Sequence, residues 1–400
     1  MAVEQTPHLG CTVSYYAAFI ALGLVVASLG PTLPSLAEQV GVPLAGISFL
    51  FATRSSGYLL GSFLGGRVYD RLPGHPVMGC VLLVMAGAMA LVPLSSHIVL
   101  CAAVLLVVGI TEGTLDVGCN ALLVWNHPQN LAPYMNGLHF FFGVGAFVSP
   151  ILIAQAVVYS GGITWAYWLL ALCIVPIALV ILKLPSPQIQ KDSTEANGKG
   201  HSLFVFLIAA CFFVFVGAEV GIGGWIYTYA VKQQIADEKT AAYLTSGFWG
   251  ALTLGRLIVI PLAARFRPRT IMLFDIVGAL LSVLVMLVFP VSLIAIWVGT
   301  MGTGFFIASM FATLLAFAGR RMVITGRVTG WFFVGSSLGA MTVPWVIGQL
   351  FEQVGPQIML VAVGADLLIA FAIFIILLLQ ARKMPLLNRV DSVSAPEMVS

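Results

Sequence analysis

The chain has 400 residues, a net charge of +3 at pH 7, 60% hydrophobic residues and 8% charged ones. A soluble domain carries roughly a quarter charged residues, so this composition, with a mean hydropathy of +1.05, excludes a water-soluble globular protein and offers no basic surface to nucleic acid. Apolar runs of about 20 residues recur, the length a bilayer demands, without the short alternating segments of a β-barrel.

In chain order, twelve spans are expected at 12–37, 45–66, 76–96, 98–124, 134–158, 163–184, 203–231, 239–264, 269–290, 291–318, 326–352 and 356–381. The opening "MAVEQTPHLG" has no basic region and no small-residue cleavage site, so the first helix reads as a retained span. The six cysteines are isolated, with no CxxC, and point to neither a metal site nor a disulfide framework. One long polar insertion, "PSPQIQKDSTEANGKGHS", divides the chain six plus six. The expected parts are an N-terminal half (1–184), a cytoplasmic linker (185–202), a C-terminal half (203–381) and a cytoplasmic tail (382–400).

Orientation follows from Lys and Arg. One set of ends and loops holds Arg67, Arg71, Lys183, Lys191, Lys199, Arg265, Arg267, Arg269, Arg320, Arg321, Arg327, Arg382, Lys383 and Arg389; the other holds Lys232 and Lys239. Fourteen against two puts both termini and the linker in the cytoplasm, in a multi-pass protein of the cytoplasmic or plasma membrane.

Seven ionisable residues fall inside the expected spans: Arg54, Glu112, Asp116, Glu219, Arg256, Asp275 and Asp366. A charge at mid-membrane costs about 3 kcal/mol on insertion scales, so each needs a partner, water or a proton. In span 4, Glu112, Asp116 and Asn120 are spaced i, i+4, i+8 and share one stripe. Two carboxylates about 6 Å apart make a proton site; with the amide they could instead ligate Na⁺. The structural alternative is a buried pair with Arg54 or Arg256. In span 5, His139 is a cavity candidate in "LHFFFGVGAFVSP". In span 7, Glu219 precedes three glycines and then Trp225, Tyr227 and Tyr229. Aromatic faces beside a carboxylate suit a sugar; an interfacial aromatic belt is the alternative, favoured for Tyr229. Arg256 and Asp275 read as a structural or gating charge pair. Asp366 reads as packing. "GTMGTG" (299–304) follows no strand and is not a nucleotide loop. No triad or metal cluster supports an enzyme.

A shift of 194 residues superimposes Gly30 on Gly224, Gly61 on Gly255, Arg71 on Arg265, Gly145 on Gly339 and Pro150 on Pro344. Two parallel halves of six helices, related by such a repeat, resemble the major facilitator transporters, whose site lies between the halves near mid-membrane. The fold implied is therefore all-α, with twelve transmembrane helices in two pseudo-symmetric halves. "GGRVYDRLPGHP" (65–76) resembles that family's loop signature through Gly66, Asp70 and Arg71, which the resemblance makes part of a gating charge network with Arg256. An extra residue precedes Gly74, and His75-Pro76 replaces the usual basic pair.

"FVGAE" (215–219), "YAV" (229–231), "AAYLT" (241–245) and "LGR" (254–256) resemble the fucose–proton symporter branch, and "GPTLPSLA", "LDVGCN" and "LHFFFGVGAFVSP" are closer to its sodium-dependent glucose transporter relatives. The resemblance implies inward symport of a neutral hexose-like sugar with H⁺ or Na⁺ and no other cofactor. Asp116, Glu112 and Glu219 would couple the ion; Asn120, His139, Trp225 and Tyr227 would contact the sugar. The protein would work as a monomer in the lipid bilayer. Span 1 lacks the second carboxylate of the proton symporter; either Glu219 or Glu112 would supply it, or Na⁺ would be the coupling ion, or coupling would be absent. Rival expectations are an exporter of drugs or amphipathic metabolites on the same fold, and a non-transporting sugar sensor.

Overall fold

A computed structural model describes residues 9–127, 131–187, 202–322 and 326–382. Lys191, Lys199, Lys383 and Arg389, most of the expected linker and nearly all of the expected tail lie outside these residues, as do the side chains of Gly326 and Arg327.

The described residues form fifteen α-helices. These are α1 (Leu9–Val26), α2 (Leu29–Val40), α3 (Leu44–Ile47), α4 (Phe49–Tyr69), α5 (Gly74–Leu91), α6 (Ile98–Asn126), α7 (Leu131–Ser160), α8 (Ile163–Ile181), α9 (Ser202–Lys232), α10 (Glu238–Arg265), α11 (Pro268–Val288), α12 (Leu293–Ile307), α13 (Met310–Gly319), α14 (Gly326–Val354) and α15 (Ile358–Arg382). Eleven stretches are long and apolar enough to cross a bilayer, and the pair α2 with α3–α4, bent by 118°, brings the count to twelve. Helices are what a hydrocarbon interior requires, because every backbone polar group must find its partner within the chain.

Two spans are broken. Span 1 divides into α1 and α2 at Ala27 and Ser28. Pro31 follows and has no N–H to return to the Ala27 carbonyl. Span 10 divides into α12 and α13 at Ala308 and Ser309 without any proline.

Within the first half α1 packs on α7 and α4 on α6; within the second α9 packs on α14 and α10 on α12. These are the same helix pairs under the 194-residue shift. Glycine makes the closest approaches. A Cβ at Gly57 or Gly61 would run into α6 carbonyls, and one at Gly109 or Gly113 would run into α4 carbonyls. Small residues at this spacing let two spanning helices touch backbone to backbone. The repeat also meets itself: a Cβ at Gly30 would come within 2.6 Å of the Gly223 carbonyl and 3.2 Å of the Gly224 Cα.

The halves join most tightly at one end. There the Leu44 N–H donates to Glu352 Oε1 at 3.0 Å, and Gln349 Nε2 donates to the Ala45 carbonyl at 2.8 Å and to Ser48 Oγ at 3.2 Å. Gln155 Nε2 donates to the Tyr243 hydroxyl at 2.6 Å. At the opposite end, no hydrogen bond or ion pair joins Arg67, Asp70, Arg71, Arg265 or Arg267 to the other half among the described residues. The α10 surface from 260 to 265 is exposed throughout.

Candidate functional site

The site begins with the contact of α4 and α6. These helices run parallel with a constant register of 58 residues. Arg54 meets Glu112, and Tyr58 meets Asp116. The stripes are Arg54, Tyr58, Ser62 on one helix and Glu112, Asp116, Asn120 on the other, each at i, i+4, i+8. The glycines between them bring the two backbones close enough for the side chains to meet.

The Arg54–Glu112 rung is a closed ion pair. Arg54 Nη2 lies 2.5 Å from Glu112 Oε1, and Nε donates to both carboxylate oxygens at 3.2 and 3.0 Å. The same guanidinium donates through Nη1 to the Val26 carbonyl at 3.1 Å and through Nη2 to the Val25 carbonyl at 3.5 Å. Arg54 thus caps the α1 end exposed by the helix break. Glu112 was expected among the ion-coupling residues; here both of its oxygens are taken by one guanidinium.

Asp116 differs. Its Oδ2 accepts from the Tyr58 hydroxyl, and its Oδ1 accepts from Asn120 Nδ2 at 2.8 Å. Both donors are neutral. The nearest balancing charge comes from the other half, where Arg256 of α10 lies within electrostatic reach of Asp116. Arg256 Nη2 is also 4.0 Å from Glu219 Oε1 of α9, with the two side chains 28% and 22% exposed. Its guanidinium stands 5.8 Å over the Phe142 ring of α7. His139, exposed, makes an edge-on contact with Phe19 at 5.8 Å and feels the same guanidinium. Asp116, Asn120, His139, Glu219 and Arg256 therefore gather on one solvent-accessible crevice between the halves.

Other expected residues lie elsewhere. Trp225 is fully buried; its indole N–H donates to the Pro344 carbonyl at 3.0 Å, and its ring stacks on Phe351 at 5.0 Å and lies 6.1 Å from Phe51. Its one polar atom is spent, so it plugs the closed end instead of facing the crevice. Tyr227 is buried nearer that end, within reach of Asp237 and Glu238. Tyr229 is no interfacial belt residue: it is buried, and its hydroxyl donates to the Pro290 carbonyl at 3.1 Å. Asp70 and Arg71 are exposed at the end of α4, and neither forms an ion pair among the described residues. The expected Arg256–Asp275 pair is absent; Asp275 accepts from Ser309 instead. Asp366 is buried beside Gly217, with Oδ2 lacking any hydrogen-bond partner among the described residues.

Tyr58 was missed by the sequence reading. Its signal was its place four residues after Arg54, on the stripe that faces span 4. Phe142, half-buried under Arg256 and 6.3 Å from the buried Trp249 ring, was missed as well. A separate cavity of about 310 Å³ among Arg267, Arg269, Phe317, Arg320 and Arg321 lies at the basic end and holds none of the crevice residues.

Two helical halves, a central polar crevice and one closed end define a membrane transporter that works by rearranging its halves. The model of the Major Facilitator Superfamily matches residues 15–344, and the chain belongs to that superfamily. It is 31% identical over 358 residues to sodium-dependent glucose transporter 1 of Xenopus laevis, covering 82% of this chain and 73% of that protein. To sodium-dependent glucose transporter 1A of Mus musculus it is 29% identical, covering 84% and 88%. Among solved structures, the nucleoside transporter NupG superimposes with a TM-score of 0.73 at 14% identity, covering 92% of this chain and 98% of that one; at that identity the likeness shows the fold alone.

Proposed function

We propose that this protein imports a neutral hexose-like sugar together with Na⁺ or H⁺ by alternating access, and that Asp116 carries the coupling ion. The observation that carries this reading is the hydrogen bonding of Asp116. Its carboxylate is held by two neutral donors within a solvent-accessible crevice, and the positive charge it senses across the crevice belongs to the opposite half. An ion arriving at Asp116 removes the attraction to Arg256. Ion binding and the relative position of the halves are then one equilibrium. Asn120, His139 and Glu219 present an amide, an imidazole and a carboxylate to the sugar hydroxyls. Phe142 offers a ring face. The names of the relatives favour Na⁺ over H⁺. We place the halves at 1–184 and 203–381 and both termini in the cytoplasm, in a plasma or cytoplasmic membrane. On that orientation the closed end is external, and the structure is inward-facing.

The test is tracer uptake into liposomes containing purified protein, with glucose, galactose, mannose and fucose, each with and without an inward Na⁺ gradient at two pH values. Uptake of one sugar above its external concentration, driven by Na⁺ or H⁺, is the expected result. No gradient-driven uptake and no exchange of any sugar would remove the sugar assignment.

A further inference from the structure

The cavity of about 310 Å³ at the basic end lies where the start of α11 meets the end of α13. Phe317 is its buried wall, and Arg267, Arg269, Arg320 and Arg321 surround it. No carboxylate lines it among the described residues, and Arg267, Arg269 and Arg320 form no ion pair among them. Arg321 is half-buried, with its guanidinium 5.9 Å from the centre of the Phe317 ring. Burial, and then the like charge of Arg269, hold that guanidinium below the usual arginine value. An excess of Lys and Arg at this end sets orientation, but it does not require four of them around one void. The 194-residue shift makes the same point. It carries Arg267, Arg269, Phe317, Arg320 and Arg321 onto Pro73, His75, Leu123, Asn126 and His127. There an amide and two imidazoles meet hydroxyls of α1: His75 Nε2 lies 2.7 Å from the Tyr15 hydroxyl, His127 Nε2 lies 2.6 Å from Thr12 Oγ1, and Asn126 Nδ2 donates to Thr12 Oγ1 at 3.1 Å. Leu122 occupies the space beside Gly74. The same corner of the fold is thus built without arginine in one half, and in the other it holds four cations around a space. Gathered like charge destabilises a fold, and a bound anion offsets it.

We propose that this cavity binds the phosphate headgroup of an anionic lipid. Arginine forks hold phosphate oxygens in pairs, and basic pockets between spanning helices are where anionic headgroups lodge. The surface below the cavity favours a lipid over free phosphate. On α11, Arg267 and Thr270 are exposed, and Phe274, Val277, Leu281 and Leu284 follow at helical spacing, exposed as well. A cationic mouth at the head of an apolar stripe, on a helix that spans the bilayer, matches an amphipathic anion: phosphate among the guanidinium groups, acyl chain along the stripe. The Phe317 ring gives the carbons next to the phosphate an apolar wall. Neither the solute moved nor the coupling ion enters this inference.

The probe is phosphatidic acid labelled on one acyl chain, bound to the purified full chain in neutral detergent at constant ionic strength and read by fluorescence anisotropy. Binding should saturate. Unlabelled phosphatidic acid should displace the probe, and phosphatidylcholine or inorganic phosphate at the same concentration should not. Arg269→Gln and Arg320→Gln, both exposed side chains at helix ends, should each weaken binding roughly fivefold. Lys183→Gln, an exposed cation at the same end of the other half, should leave it within about twofold of the wild type. Binding that never saturates, or that both arginine variants retain in full, would overturn the site. An equal loss in Lys183→Gln would overturn it by making the attraction a property of the whole basic surface. Displacement by inorganic phosphate as readily as by phosphatidic acid would overturn the lipid and assign the arginines to a soluble anion.

Discussion

Asp116 and Glu112 are one helical turn apart, yet the structure gives them opposite circumstances. Glu112 is locked by Arg54, with side chains 3% and 12% exposed. Removing one partner of a buried pair leaves the other charge stranded, which costs about 3–5 kcal/mol. Glu112→Gln and Arg54→Gln should therefore lower the melting temperature markedly, whereas Asp116→Asn, whose partners are neutral donors, should change it little. Thermal unfolding of the three variants side by side checks this. Equal losses would mean that Asp116 is as structural as Glu112. Tyr58 competes with any cation for Asp116 Oδ2. A hydrogen bond to a charged group contributes about 1.5–3 kcal/mol, so Tyr58→Phe should lower the half-maximal concentration of the coupling ion roughly tenfold or more in uptake assays. The Glu112, Asp116, Asn120 stripe was legible from helical spacing alone. Tyr58 was not, because its partner lies 58 residues away, and that register exists only once α4 and α6 dock. Trp225 was misread for the complementary reason: a sequence tells depth along a span but not which neighbour a face meets.

Among the helices, apolar content and length gave nearly all spans, since a bilayer leaves the chain few alternatives. The breaks were another matter. Pro31 foreshadows the interruption of span 1, but Ala308-Ser309 is an ordinary helical dipeptide and gives the span 10 break no local signal. Close glycine contacts fix the α4–α6 distance on which the polar stripe depends. Gly61→Leu should push α4 off the Ile110 carbonyl, separate the stripes and abolish uptake, while the same change at Gly10, which has open space around it, should be silent. At the α10 start, Asp237 caps the helix by accepting from the Thr240 N–H at 3.1 Å. Hydrogen bonds from Thr240 hold its carboxyl below the usual aspartate value. The sign follows: a depressed acid stabilises the fold above its unfolded pKa, and this contribution fades as pH falls through the folded value. Asp237→Ala should cost about 1 kcal/mol at neutral pH and less in acid, measurable by thermal unfolding at both pH values.

Across the whole molecule the two halves are bonded to each other at one end and, among the described residues, not at the other. The seal consists of Trp225, Phe51 and Phe351 with the bonds from Leu44 and Gln349 to the opposite half. A cysteine pair at Ala45 and Gln349, which meet across the halves through the Gln349 amide and the Ala45 carbonyl, joined by a short, reductant-cleavable thiol cross-linker, should stop uptake reversibly, in a background with the exposed Cys80 replaced. Continued uptake by the cross-linked protein would mean that this end need not open. The two-halves plan was readable from the 194-residue repeat, and Gly30 meeting Gly224 shows why those glycines recur: the halves touch there. The opposite gate was less accessible to sequence reasoning. Asp70 and Arg71 have a recognisable motif, but among the described residues neither forms an ion pair, so the motif shows no partner in this arrangement.

If Asp116 couples an ion to the movement of the halves, the decisive comparison is concentrative uptake against exchange in liposomes holding the Asp116→Asn variant. The substituted amide preserves the shape of the crevice while removing the ion's charge partner. Ion-driven accumulation should be lost, and exchange of internal for external solute should persist. Accumulation at the wild-type level under the same gradient would contradict the coupling role and leave Asp116 as one more packing residue of span 4.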